Sequence, residues 1–309
     1  MRTEFRQLLE IDYDEMYISQ IQDSAHAKII RVAFAESNLT SREEALEEKL
    51  FKTVHPSGYK TFANPFLVGL GNPNSDILIV GKEHAYPSDN SMLLMKESIN
   101  NFRQWKVIGD NDLFQMATEE LLSLLGYNPL LPTSYHSGKT SPTHTWSKTC
   151  SIVRQVYSQE KLIVDERGDI NKSFFNRCFL TELNHRPAKT HEGSGLDAVE
   201  RQQFLMSPFF RSFPVVIFSA KSYLNGSNAI LEKIFDIKQH SGQQIELDRK
   251  GSNKDKRVSI TRYSSAQQVV YVCDQLSGSS GWTNVSLTNF ATAIRNDLTN
   301  AGREVERNS

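Results

Sequence analysis

The chain has 309 residues, a net charge of −1, 39% hydrophobic residues and 23% charged residues. That balance excludes a disordered tail and supplies apolar side chains for a sizeable core; the near-neutral charge excludes the whole-molecule basic field of a strongly electropositive nucleic-acid binder, so any such contact must use local patches. Cys150, Cys178 and Cys273 are far apart and form no Cys-x-x-Cys pair, which excludes a zinc ribbon, an iron–sulfur cluster and a secreted disulfide scaffold.

The first residues mix Arg2, Glu4, Arg6 and Glu10 with apolar ones and carry no apolar signal core, and no run of about 18 apolar residues follows anywhere. The expectation is a soluble, cytoplasmic protein without a membrane partner. From about Tyr13 to Phe51 the apolar spacing is helical, through Tyr17, Ile21, Ile29, Ile30, Val32 and Ala33. Residues 1–60 are therefore read as a helical N-terminal extension packed on a main α/β domain covering 61–309. Pro56, Gly58, Pro65, Gly69, Gly71 and Pro73 punctuate a loop-rich approach to the first strand.

Four short apolar runs follow: Ile77 to Val80, Cys178 to Leu183, Val215 to Phe218 and Val269 to Cys273. Each is too short for a helix, rich in branched or aromatic residues, and mostly without alternation, the pattern of parallel strands buried on both faces. Helical stretches lie between and after them: Leu113 to Leu125, Thr145 to Tyr157, Leu196 to Met206, Ser227 to Phe235 and Ser286 to Leu298. Strand alternating with helix predicts an α/β fold, doubly wound, with a mainly parallel central sheet of about four strands flanked by helices. Between Asp248 and Arg262, the residues Arg249, Lys250, Lys254, Lys256, Arg257 and Arg262 face only two acids, which reads as a basic loop or hairpin tip, a solvated turn or a phosphate contact.

Ligands of open α/β sheets sit outside the carboxyl ends of the strands, so the residues just past each run are where chemistry is to be sought. The first run leads into Gly81-Lys82-Glu83-His84-Ala85-Tyr86-Pro87, the second into Thr181-Glu182-Leu183-Asn184-His185-Arg186-Pro187, and the fourth into Asp274-Gln275-Leu276-Ser277-Gly278-Ser279-Ser280-Gly281. The last is a small-residue loop whose amides suit a phosphate. His84, His144 and His185 lie near these loops without metal-ligand spacing, so no metal and no other cofactor is assigned.

Taken in order, these three loops resemble the motifs of the uracil-DNA glycosylase superfamily. There the first strand ends in Gly-Gln-Asp-Pro-Tyr-His or Gly-Glu-x-Pro-Gly, the second carries an Asn in a segment such as Ile-Thr-Asn-x-x-Lys-x-Arg-Pro, and the last leads into His-Pro-Ser. The matches are Gly81-Lys82-Glu83, then Phe179-Leu180-Thr181-Glu182 with Arg186-Pro187, then Gln275-Leu276-Ser277, and the resemblance spans about Asp76 to Trp282. Two positions depart from the family: Glu182 stands where its base-reading Asn is found, and Gln275 where its His stabilises the departing base. The cysteines of the iron–sulfur subfamilies are missing as well.

The resemblance implies a DNA glycosylase, a monomer that flips a base out of DNA and hydrolyses its N-glycosidic bond. Glu83 falls at the position of the water-activating carboxylate that the oxocarbenium-like transition state demands; a plainer reading has Glu83 capping a helix N-terminus. An ionised Glu182 can only accept hydrogen bonds, so it suits an amino group like that of cytosine better than the uracil edge. The implied substrate is a modified, cytosine-derived base, and the implied setting is defence against phage with modified DNA. A salt bridge from Glu182 to Arg186 or Lys189 is the structural alternative. Gly81, Asn184, Arg186, Ser277 and Ser279 are assigned to substrate binding beside Tyr86, the preferred stacking platform ahead of Phe102 and Trp146. A non-catalytic nucleic-acid-binding module on the same fold, or an enzyme of free nucleosides or sugar phosphates, are the competing readings.

Overall fold

The computed structural model describes residues 1–21, 63–82, 91–115, 129–130, 144–157, 172–185, 199–224, 229–237, 242–249, 257–276 and 281–303, with single positions 27, 120, 227 and 305. Helices α1 (Thr3–Leu9) and α2 (Tyr13–Ser19) open the chain, followed by β1 (Leu70–Gly71), β2 (Ile77–Gly81) and the helix α3 (Ser91–Asp110). Then come α4 (His144–Val156), β3 (Phe179–Glu182), α5 (Val199–Leu205), α6 (Pro208–Arg211), β4 (Val215–Phe218) and α7 (Ala229–Phe235). The hairpin β5 (Gln243–Arg249) and β6 (Arg257–Ser264), β7 (Val269–Val272) and α8 (Asn284–Asn300) close it.

The strands form one seven-stranded sheet in the order β1-β3-β2-β4-β7-β6-β5. Its centre, β3-β2-β4-β7, is parallel, and these are the four apolar runs of the sequence. The flanks β1 and β5-β6 are antiparallel additions that the sequence reading did not name. Both faces are covered, as the unbroken apolar runs require. Leu78, Val80, Val216, Phe218 and Val270 point into one core with Phe5, Tyr17, Phe102, Trp105, Phe204 and Phe209 from α1, α2, α3, α5 and α6. Ile77, Ile79, Val215, Ile217 and Tyr271 point into the other, against Ile152 and Val156 of α4 and Leu287, Phe290 and Ile294 of α8.

The described part of the N-terminal extension is built into the first core. Phe5 meets Trp105 edge-on at 5.2 Å and Phe209 at 4.5 Å. Arg2 stacks on Phe213, its guanidinium carbon 4.5 Å from the ring centre, and its Nη2 donates to the Ser75 carbonyl at 2.6 Å. Arg2 and, from beyond α8, Arg303 both face Asp76 at the start of β2, at 4.0 and 3.6 Å. The continuation of the predicted helix beyond Ser19 falls almost wholly outside the described residues. Helix α8 begins where a capping box permits: Thr283 Oγ1 accepts from the Ser286 amide at 3.0 Å, and Ser286 Oγ accepts from the Thr283 amide at 2.8 Å. Gly69 has φ +136°, and a Cβ there would sit 2.0 Å from the Leu180 carbonyl oxygen, so the turn into β1 admits only glycine.

One carboxylate in this core is under strain. Burial pushes Asp14 from 3.8 to about 6 despite nearby Arg103 and Lys106, and its Oδ1 is shut off from water with no hydrogen-bond partner. A carboxyl group raised in the folded state contributes stability that is complete below its unfolded value near 4 and is lost as pH rises through 6. Asp14→Asn is therefore expected to leave stability unchanged at pH 4 and to raise it by about 3 kcal/mol at pH 8, measured by urea unfolding. A difference that does not vary with pH would contradict this assignment.

Candidate functional site

The connection from β2 leads to β3 on one side of it, whereas the chain leaving β4 continues to β7 on the other. The strand order reverses between β2 and β4, and the crevice at their carboxyl ends is the switch point where open α/β sheets bind ligands. Its walls begin at Gly81 of β2 and Lys82 just past it, and at Ser219 to Tyr223 after β4. Ser219 closes the floor: its amide and its hydroxyl both donate to the Val80 carbonyl, at 2.9 and 3.0 Å. Tyr223, buried in the 3₁₀ turn Lys221–Leu224, presents its ring to Lys82, whose Nζ lies 5.4 Å from the ring centre. Such a cation–π contact contributes about 0.5–2 kcal/mol and holds the ammonium across the crevice.

Beside β2, Gly81 and Glu182 are register partners. The Glu182 carboxylate lies over the Gly81 backbone so closely that a Cβ on Gly81 would stand 2.1 Å from Oε2. Gly81, read from the sequence as a substrate contact, thus acts in the structure by leaving room for Glu182. Past the end of β3 the two chains stay tied, with the Leu183 amide donating to the Gly81 carbonyl at 3.0 Å and the Asn184 amide to the Lys82 carbonyl at 2.7 Å. Asn184 and His185 are both buried.

Beneath this pair lies a residue the sequence reading missed. Arg201 of α5 is completely buried. Its Nη1 donates to the carbonyls of Pro65, at 3.1 Å, and Leu67, and its Nη2 to Thr181 Oγ1, at 3.0 Å, and to the Glu182 carbonyl. Burial pulls the guanidinium down to about 9, against the opposing influence of the Glu182 charge. The signal was present in the sequence: Arg201 shares its helix face with Phe204 and Leu205 at i+3 and i+4, a core position that an arginine occupies only when paired.

Gln275 is exposed, beyond the buried Cys273, at the end of β7 and two strands from β2. Glu83, Tyr86, Arg186, Ser277 and Ser279 lie outside the described residues, as do Lys189 and the side chain of Trp146. Phe102 is corrected: it is completely buried, with Tyr13 edge-on at 5.2 Å, and serves as core rather than as a stacking platform. The basic segment is a β5–β6 hairpin whose tip, 250–256, lies outside the described residues. Its Arg262 is engaged by Asp297 in a two-pronged pair at 2.7 and 2.9 Å and so belongs to the fold rather than to a phosphate contact. All three cysteines are buried free thiols, and burial pushes Cys150 up to about 11, away from nucleophilic use. Among the described residues no three His, Cys, Asp or Glu side chains are grouped to hold a metal, and no helix is long and apolar enough to cross a membrane.

Compared with family models, curated proteins and solved structures, the chain matches none.

Gly81 and Arg201 separate site from scaffold. Gly81→Ala pushes against the free end of a side chain and is expected to cost about 1 kcal/mol, the low end of overpacking penalties, while displacing the Glu182 carboxylate. Arg201→Met takes the donor from four acceptors, three of them buried, and is expected to cost about 3 kcal/mol or more. Denaturant unfolding of both variants checks the ranking, and equal losses would contradict it.

Proposed function

We propose that the protein is a DNA N-glycosylase that removes a cytosine-derived base by hydrolysis. The observation that carries the reading is the Glu182 carboxylate held over Gly81 at the carboxyl end of the sheet, with the buried Arg201 guanidinium behind it. Function is argued here from that site and not from the fold, which hosts many chemistries.

A flipped base is read by hydrogen bonds to its Watson–Crick edge. A carboxylate fixed at that edge accepts from an exocyclic amino group and repels a carbonyl, so Glu182 selects cytosine and its derivatives against uracil. Bond cleavage leaves positive charge at the anomeric carbon, and a second carboxylate is needed to stabilise it and to take a proton from water. Glu83, the next residue in sequence after Lys82, is assigned that role. Two carboxylates then divide recognition from chemistry. DNA is the partner on this reading, and removal of modified bases from phage DNA is the biological use that fits it.

The test is incubation with duplexes carrying uracil, cytosine, hydroxymethylcytosine or glucosylated cytosine, followed by alkaline cleavage at abasic sites. Breaks at a cytosine-derived base are expected, with the rate falling about 100-fold or more in Glu83→Gln. Breaks at uracil alone would overturn the base assignment. Binding without breaks on any duplex would make the protein a non-catalytic nucleic-acid-binding module.

A further inference from the structure

At the amino edge of the sheet, opposite the crevice, three arginines gather around one carboxylate. Asp76, just before β2, faces Arg2 at 4.0 Å and Arg303 at 3.6 Å, and neither pair is close enough for a hydrogen bond. In the parallel register of β2 and β3, Leu78 stands beside Phe179, and extending that register two residues back sets Asp76 beside Arg177. The Arg177 guanidinium carbon lies 5.2 Å from the ring centre of Tyr157, which follows α4. Arg295 of α8 donates to the Val156 carbonyl at 2.9 Å and so fixes this end of α4 against the helix that leads to Arg303. One negative charge therefore stands among three positive ones.

The arginines are not equally engaged. Arg2 serves the fold: it stacks on Phe213 and donates to Ser212 Oγ at 2.9 Å and to the Ser75 carbonyl at 2.6 Å. Arg303 differs. Its side chain is 49% exposed, and among the described residues its two terminal nitrogens have no hydrogen-bond partner. Tyr157 is only 4% exposed, yet among the described residues its hydroxyl has no partner either. Burial, with the Asp76 charge, holds that hydroxyl above its ordinary range, so it stays protonated and able to donate. A buried donor without an acceptor is costly, and a ligand that accepts from it removes the cost.

The ligand that completes this set is an anion with several acceptor oxygens. A terminal phosphate offers three in a tetrahedral array, enough for a guanidinium fork and a hydroxyl together, and it carries more charge than a diester or a carboxylate, each with two. We propose that Arg303, Arg177 and the Tyr157 hydroxyl bind a terminal phosphate group, as the free ion or as a phosphomonoester, at the amino edge of the sheet, while Arg2 offsets the charge of Asp76. Five residues of β2 separate Asp76 from Gly81, roughly 17 Å. The site is thus distinct from the Glu182 carboxylate and stands or falls independently of the glycosylase reading.

Calorimetric titration of the full chain at low salt with inorganic phosphate, methyl phosphate and dimethyl phosphate tests this. Wild type is expected to bind inorganic phosphate and to bind dimethyl phosphate at least about tenfold more weakly. Methyl phosphate as tight as inorganic phosphate identifies a monoester as the ligand, and methyl phosphate much weaker identifies the free ion. Arg303→Gln is expected to weaken phosphate binding about tenfold. Tyr157→Phe, which keeps both the net charge and the ring beside Arg177, is expected to weaken it about fivefold. Absence of phosphate binding by wild type would overturn the proposal. So would dimethyl phosphate binding as tightly as inorganic phosphate, the mark of a backbone contact, or a loss in Arg303→Gln with none in Tyr157→Phe, the mark of diffuse charge. Tyr157→Phe removes a hydroxyl without a protein partner and should melt no lower than wild type, so its comparison stands even where Arg303→Gln is destabilised.

Discussion

The close approach of the Glu182 carboxylate to a glycine backbone governs the rest of the site. Only a residue without Cβ at position 81 lets the side chain of the neighbouring strand lie flat across the end of β2. The carbonyl of the same glutamate is held from below by Arg201, a fully buried cation whose nitrogens also bind the Pro65 and Leu67 carbonyls and the Thr181 hydroxyl. A charge so deeply buried is tolerated because both terminal nitrogens are met by acceptors and an anion stands nearby. Arg201 thus ties the loop entering the sheet, the third strand and the backbone of Glu182 into one unit, which is the support a recognition group needs.

The sheet determines where that unit faces. With helices over both faces, the exposed margins of the parallel strands are their ends, and the reversal of strand order between β2 and β4 opens the crevice there. Ser219 seals the crevice floor against β2, and Lys82 and Glu182 stand on its rim. The antiparallel hairpin widens the sheet on the far side of β7 and is braced to α8 by Arg262 and Asp297, away from this edge. Tyr271 joins the same brace by donating to Asp297, and burial together with that bond holds its hydroxyl above the ordinary range.

Much of the architecture was legible because it rests on local patterns. The runs Ile77 to Val80 and Val215 to Phe218 are continuous apolar stretches of strand length, and only a sheet covered on both faces accommodates them. The capped final helix could be read from its spacing and polar entry. By contrast, Ser91–Asp110 escaped notice: its buried face includes Asn101 and Gln104, which break the apolar stripe. Asn101 is polar because its side chain holds the Val68 and Gly69 amides, at 2.9 and 3.0 Å, a tertiary role that periodicity does not encode. The hairpin strands β5 and β6 carry charged residues along their length and read as a basic loop or hairpin tip rather than as strands of the sheet. At the candidate site, strand-end logic pointed to the neighbourhood of Gly81, Glu182 and Asn184, but the contact of Glu182 with Arg201 joins residues 19 apart in sequence across two elements and emerges only in three dimensions.

The central claim is that the carboxylate over Gly81 reads an amino group. It is tested most directly by the affinity of free cytosine and free uracil for the protein bound to an abasic-site duplex, in wild type and in Glu182→Gln. Wild type should bind cytosine more tightly than uracil, and the glutamine variant, whose amide can donate as well as accept, should lose or reverse that preference. Equal or tighter binding of uracil by wild type, unchanged by the substitution, would contradict the account.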